Sequence, residues 1–332
     1  MATLKDIANE LNLSVPLISK VLSGKMGTTN CSEEKRLAIL AKAKELNYHP
    51  NSRARALSLG RSGTIGVFIH SIGLPGSESL YKQLLEGITQ QANVEELRLC
   101  LSFYETDSQF MQTFSQVAKK EIDGLIVAGV HHPNLQKVYE ELEARGTPVV
   151  TVFRKGAVSE NGVNICCDEF QIGYLPTRHL LEKGCRRIAH IHCLDQRYQG
   201  YQKALEEFNI TGDPALVFHA QSDLSLEAGK KAVQQWLKDG IEIDGLITES
   251  DHQAFGAVSE LLQQGKRVPE DVKVFGVDNS PICGLSPVPL SSVNAPMDEM
   301  GRQAVKSLLK RINHQDVTSD NFSPSLQLRA SS

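Results

Sequence analysis

Ile122-Asp123-Gly124-Leu125-Ile126, preceded by Lys120-Glu121, returns 121 residues later as Ile243-Asp244-Gly245-Leu246-Ile247, preceded by Glu242. Each copy leads into a helical stretch and then a second apolar strand, Pro148-Val149-Val150-Thr151-Val152 in one case and Val272-Lys273-Val274-Phe275-Gly276-Val277 in the other. A unit that recurs together with its connection is an internal duplication of an α/β element. Outward from these anchors, apolar runs at 65–69, 97–103, 122–128 and 149–153, then 187–192, 215–218, 243–248 and 272–277, alternate with helical patterns. That alternation predicts βαβ units, parallel sheets and two lobes of one architecture. A strand at 291–293, a helix near 297–312 and a last strand near 326–328 are expected to cross back. Lobe one is placed at about 62–161 plus 291–320, and lobe two at about 162–290 plus 321–332.

The 332 residues exceed one ordinary core, and 41% hydrophobic with 22% charged residues is globular composition rather than disorder or a rod. No apolar stretch approaches 18 residues, and Met1-Ala2-Thr3-Leu4-Lys5-Asp6 lacks the features of a secretory signal, so no membrane span and a cytoplasmic location are expected. Seven cysteines without a Cys-x-x-Cys spacing read as reduced, structural thiols. The net charge of −4 hides an asymmetry: residues 1–62 hold ten Lys/Arg against five Asp/Glu, leaving 25 against 34 in the rest. A basic head on an acidic body suits a polyanion-binding head, against chance fluctuation.

In that head, Thr3 and Asp6 have the spacing of a capping box, and Ile7, Ala8 and Leu11 form an apolar stripe. Asn12 suits a left-handed turn, Ser14 can cap a second helix, and Pro16 fits within its first turn. Ile18, Val21 and Leu22 face inward, leaving Val15, Pro16, Ser19 and Lys20 outward. Ser32, Ile39, Ala43 and Leu46 mark a third helix. Two short helices joined by such a turn form a helix-turn-helix, although a plain three-helix packing module reads equally well from these residues. His49-Pro50-Asn51 breaks the third helix, and the basic octet 52–59 is too short to be a stable helix alone. The domains are therefore 1–49, a hinge at 50–61, and a body at 62–332.

Thr3-Leu4-Lys5-Asp6-Ile7-Ala8, Ser14, Ile18-Ser19-Lys20-Val21-Leu22, Leu46-Asn47-Tyr48, Pro50-Asn51 and Ala54-Arg55-Ala56-Leu57 resemble, in order and spacing, the lactose/galactose repressor (LacI/GalR) family of bacterial transcription regulators. The resemblance implies an all-α helix-turn-helix headpiece followed by an α/β two-lobed body with periplasmic-binding-protein-like parallel sheets. It implies DNA contact from Thr3, Ser14, Val15, Pro16, Ser19 and Lys20, and in the hinge from Asn51, Arg53, Ala54, Arg55 and Leu57, with Leu57 as a minor-groove wedge. Asn12, Leu17-Ile18-Ser19-Lys20 and a longer 25–31 segment depart from the family pattern, so the operator sequence does not transfer.

Parallel sheets bind ligands beyond the carboxyl ends of their strands, and two facing lobes make a cleft. Arg197 ahead of Gly200-Tyr201, Gly276-Val277-Asp278-Asn279, Ser250-Asp251, Phe153-Arg154, Asp168 ahead of Gly173 and the terminal Leu328-Arg329-Ala330-Ser331 resemble the body shared by these repressors and periplasmic binding proteins. Arg197 and Asp278 lead as effector contacts, because a guanidinium fork and a carboxylate suit vicinal hydroxyls of a sugar or the polar edges of a base. As residue types alone, Arg197 also reads as a solvated helix-start charge and Asp278 as a turn cap. Ser250, Asp251 and Arg154 follow as weaker candidates, with helix capping the competing reading for Asp251. The loop from 192 to 197 is shorter than the family version.

No nucleophile elbow, Walker sequence, His-Glu-x-x-His or Gly-x-Gly-x-x-Gly occurs, so no enzyme activity, catalytic residue or cofactor is expected. His190 and His192 face one side of a strand but lack a third spaced ligand, which reads as polar packing rather than a metal site. The expectation is a repressor on double-stranded, near-palindromic operator DNA, acting as a homodimer under a sugar-like effector and associated with the nucleoid. The alternatives are a periplasmic-type solute-binding protein and an α/β enzyme acting on sugars.

Overall fold

The computed structural model describes residues 2–22, 31–48, 61–70, 78–117, 122–129, 135–153, 162–221 and 223–332. The chain divides into a unit of residues 1–62 and a unit of residues 63–332.

The first unit contains α1 (Leu4–Leu11), α2 (Val15–Leu22) and α3 (Glu33–Glu45). Thr3 starts α1 through the reciprocal box: its hydroxyl accepts from the Asp6 N–H at 3.3 Å, and the Asp6 carboxylate accepts from the Thr3 N–H at 2.7 Å. That backbone bond holds the Asp6 carboxyl below its ordinary value. Asn12 ends the helix in the left-handed region at φ 51°, a conformation asparagine tolerates better than most residues. The Ser14 carbonyl accepts from Ile18 at 3.2 Å, so α2 begins there. Ile7, Ile18 and Ile39, one from each helix, are fully buried together. Lys42 of α3 bridges Glu10 of α1 at 2.9 Å and Glu45 at 2.7 Å.

In the second unit, β1 (Thr64–His70), α4 (Glu78–Val94), β2 (Arg98–Tyr104), α5 (Asp107–Val117), β3 (Gly124–Ala128), α6 (Leu135–Ala144), β4 (Val149–Val152) and β5 (Val163–Cys167) build most of one lobe. The other follows with α7 (Glu169–Glu182), β6 (Ile188–His192), α8 (Asp195–Glu207), β7 (Val217–His219), α9 (Leu226–Lys238), β8 (Gly245–Ile247), α10 (Asp251–Gln263), β9 (Lys273–Val277), α11 (Ile282–Leu285) and β10 (Ser291–Asn294). The chain ends with α12 (Met297–Ile312), β11 (Asp320–Phe322) and β12 (Ser325–Gln327).

The first six-stranded sheet runs β11-β5-β4-β3-β1-β2 and the second β12-β10-β9-β8-β6-β7. Position for position these are the same order, which is the duplication announced by the two Ile-Asp-Gly-Leu-Ile segments on β3 and β8. The pairings are parallel except for the antiparallel β10–β12 pair. The aspartates of the two segments do one job. Asp123 accepts from the Gly63 N–H at 2.7 Å just ahead of β1, and Asp244 accepts from Arg186 and Arg187 at 2.7 and 2.9 Å ahead of β6.

Two sequence-based lobe boundaries need correction. Residues 163–167, assigned to lobe two, pair with β4 through Val150 and Val163 in the first sheet. Residues 291–294, assigned to lobe one, pair with β9 through Ser291 and Phe275 in the second. Both are short buried runs whose own residues carry no mark of their partner, so only the pairing decides their sheet. The chain thus crosses between sheets three times, after β5, after β10 and after β11.

Candidate DNA-reading face and effector site

On the head, Thr3, Ser14, Pro16, Ser19 and Lys20 are exposed, as an outward reading face requires. Val15, expected to face outward, is half-buried and packs against the Ile7–Ile18–Ile39 core together with Leu17. Its place at the start of α2 puts its methyl groups over the turn rather than wholly in solvent. Asn51, Arg53, Ala54, Arg55 and Leu57 lie outside the described residues, as does Arg154 of the body.

Arg197 sits in the first turn of α8, where that helix crosses α7 with almost no space between backbones. A Cβ on Gly173 of α7 would stand 1.9 Å from the Arg197 carbonyl oxygen, and one on Gly200 of α8 would stand 2.1 Å from that of Phe170. Only glycine permits that approach. It sets the Arg197 side chain, 8% exposed, among acids. Nε donates to Glu169 Oε2 at 2.6 Å, and Nη1 donates to the Glu249 carbonyl and to its Oε2, both at 3.0 Å. Burial opposes the guanidinium charge, but Glu169 and Glu249 outweigh it and hold Arg197 ionised. Burial pushes the Glu249 carboxyl upward against the pull of Arg197, while Glu249 Oε1 accepts from the Cys193 and Leu194 N–H groups at 3.3 and 3.4 Å.

Asp278 directly follows β9 and is buried with φ 102°. Its N–H donates to the Val293 carbonyl at 2.9 Å, and its own carbonyl accepts from Gln83 Nε2 of the other lobe at 3.2 Å. Among the described residues its carboxylate accepts no hydrogen bond. Burial, then the charge of Asp251, raises its pKa well above the usual carboxylate range, and Arg197 pulls it back down in part. Arg197 and Asp278 therefore share one electrostatic neighbourhood at the carboxyl ends of the second sheet.

Ser250 and Asp251, expected among the effector contacts, belong to the scaffold instead. Ser250 caps α10, accepting from the Gln253 N–H at 3.1 Å and donating to the Leu224 carbonyl at 2.7 Å. Asp251 accepts from Ser292 Oγ at 2.5 Å and from the Ser280 N–H at 2.6 Å, tying the loop after β9 to β10. Both side chains are fully buried with their oxygens committed. Asp168 caps α7 through the Gln171 N–H at 3.1 Å.

Sequence reasoning missed Glu169 and Glu249. The available signal was an acid placed beside a helix cap just past the end of a strand, at Asp168-Glu169 and at Glu249-Ser250.

The profile of "Bacterial regulatory proteins, lacI family" matches residues 3–51, and that of the "Periplasmic binding protein-like domain" matches residues 177–332. The chain joins a LacI-family DNA-binding domain to a periplasmic-binding-protein-like domain. This regulator is 29% identical over 319 residues to the ribose operon repressor of Halalkalibacterium halodurans, covering 94% of this chain and 91% of that protein. It is also 29% identical over 324 residues to the transcriptional repressor PurR of Haemophilus influenzae, covering 95% and 93%. Among solved structures, a complex of the transcriptional regulator CelR with cellobiose superposes with a TM-score of 0.73 at 25% identity over the full length of both chains. The lac repressor dimer bound to operator and an anti-inducer shares the fold with a TM-score of 0.81 at 22% identity, covering 99% of this chain and 98% of that one. The regulator therefore combines a DNA-binding head with a body built to answer a small metabolite.

Proposed function

We propose that this regulator is a cytoplasmic repressor that binds a near-palindromic operator as a homodimer and responds to a sugar-like effector held between the lobes by Arg197 and Asp278. It acts by binding rather than by catalysis. The observation that carries the effector reading is Asp278, a buried carboxylate with no hydrogen-bond donor among the described residues, close enough to Arg197 for each to shift the other's ionisation. A polyhydroxy ligand supplies the missing donors to Asp278 and accepts from the guanidinium. Operator contact is assigned to Thr3, Ser14, Pro16, Ser19 and Lys20, with Val15 at the edge of the face and the 51–57 hinge following it. The dimer reading is supported by the edge strand β2, which leaves Leu101 47% and Phe103 53% exposed on one face. Such an apolar edge is one that natural proteins cover.

The test is calorimetric titration of the full chain with ribose, cellobiose, other neutral sugars and nucleobases, the first two suggested by the relatives. Asp278→Asn is expected to weaken the positive ligand at least tenfold, the lower end of losing a buried charged contact, while operator binding in a gel shift persists. Asp278→Asn is preferred to an Arg197 variant because removing Arg197 also leaves Glu249 without its cation. Unchanged affinity in Asp278→Asn moves the pocket elsewhere.

A further inference from the structure

His190 and His192 project from one face of β6, and the fold supplies the third ligand that their sequence spacing lacked. His190 pairs with Ile247 across β6 and β8, so Glu249, two residues on, comes level with His192 on the same face at the carboxyl end of the sheet. A possible ligand atom from each of His190, His192 and Glu249 lies within 4.8 Å of the others, and His190 Nε2 stands 3.8 Å from Glu249 Oε1. His219, in register with His192 on β7, brings its ring centroid to 5.1 Å from that of His192. His190 is 1% exposed, and the Nδ1 atoms of both His190 and His192 are buried without a hydrogen-bond partner. His190 faces Glu249 through Nε2, so the orphaned atom that a metal satisfies is Nδ1 of His192, whose Nε2 is already turned to Asp195; a buried imidazole nitrogen with no partner is costly in a packed core.

We propose that His190, His192 and Glu249 form a binding site for a divalent transition metal, Zn2+ being the best fit to two imidazoles and a carboxylate, with His219 or water as the fourth ligand. Ligands of a tetrahedral Zn2+ stand about 3.3 Å apart, so the three groups must close by at most about 1.5 Å, within reach of rotations about the outer side-chain bonds. His192 Nε2 lies 3.4 Å from Asp195 Oδ1, which places a carboxylate behind one imidazole in the arrangement that commonly orients metal-bound histidines.

Glu249 also gives the site a consequence. Its Oε2 holds Arg197 at 3.0 Å while its Oε1 faces His190, so metal and guanidinium share one carboxylate. Metal occupancy then alters how firmly Arg197 is held. This coupling rests on the proposed role of Arg197, whereas the metal site does not.

The experiment uses Zn2+ alone on the full chain, stripped with chelator and kept reduced because seven thiols can also take metal. Zn2+ uptake is measured by competition with a chromogenic chelator, and Co2+ uptake by the visible absorption of a four-coordinate ion. The wild type is expected to take up one equivalent that His192→Gln and Glu249→Gln each weaken at least tenfold, with the Co2+ band lost in both. His192 is only half-buried, so His192→Gln decides the matter if Glu249→Gln fails to fold by circular dichroism. Equal uptake by wild type and His192→Gln, or no uptake by the wild type, overturns the proposal. Neither result bears on Arg197 and Asp278 as effector contacts, because no effector is present.

Discussion

Phe153 follows β4 with φ 97°, and Asp278 follows β9 with φ 102°. These are equivalent positions in the two lobes, and each N–H donates at 2.9 Å to the next strand, to the Ile165 and Val293 carbonyls respectively. The unusual backbone is therefore a property of the duplicated scaffold, present whether the side chain is a phenyl ring or a carboxylate. What differs is the chemistry set upon it. Lobe one stacks Phe153 edge-on against Tyr81, with centroids 5.9 Å apart, and buries Tyr104 beside Phe110. Lobe two buries Arg197, Glu249, Asp251 and Asp278 at the corresponding strand ends. Strain alone does not mark the site. A charge placed where the sister lobe has an apolar ring does.

The comparison breaks most visibly at Arg197. Arg197→Ala leaves Glu249 buried without its cation, and breaking such a pair costs about 3–5 kcal/mol, read as a fall in the urea midpoint. Adding Glu249→Gln should return part of that loss. A loss under 1 kcal/mol would mean that the acids do not depend on Arg197.

A middle-sized effect tests what the lobes share. Asp123→Ala removes the acceptor of a part-buried strand-leading N–H and should cost about 1–3 kcal/mol, whereas the two bonds to Asp244 are exposed and open to water, so Asp244→Ala should cost less, about 0.5–1.5 kcal/mol. If one of them is neutral by chemical denaturation, the shared role assigned to the repeated Ile-Asp-Gly is wrong for that lobe.

The smallest effect has the opposite sign. The Asp278 carboxyl is raised in the folded protein, so it binds its proton more tightly folded than unfolded. Its cost to stability is absent below the ordinary carboxylate value and grows as the pH rises from there toward the folded value. Asp278→Asn should therefore have a higher Tm than the wild type at pH 7, with the gap closing as the pH falls to about 4. A gap that widens in acid would contradict this.

The head and the duplication were legible because their signals are local: the Thr3 and Asp6 box, Asn12 at the turn, and two copies of one strand. Sheet membership of 163–167 and 291–294 was not, because a buried strand looks alike in either sheet. Arg197 and Asp278 could be selected by position. That Arg197 is claimed by acids 28 residues before it and 52 after it could not be read from the chain, since nothing near Glu169 or Glu249 refers to it. The same distance hid the third partner of His190 and His192. Ser250 and Asp251 were misplaced because a strand-end hydroxyl or carboxylate looks the same whether it faces a cleft or ties down a loop.

The late return of α12 also governs how the molecule can be made. Met300, Ala304, Val305 and Leu308 belong to the same core as Ile65, Val67, Leu84 and Ile88. All the strands of the first lobe except β11 have been synthesised by Cys167, yet the helix that covers their apolar face begins only at Met297. At roughly 5–20 residues per second, that leaves an interval on the order of ten seconds on the ribosome with that face of the sheet covered only in part, by α4. The nascent chain is then most exposed to chaperones and to misassociation while the second lobe is being translated.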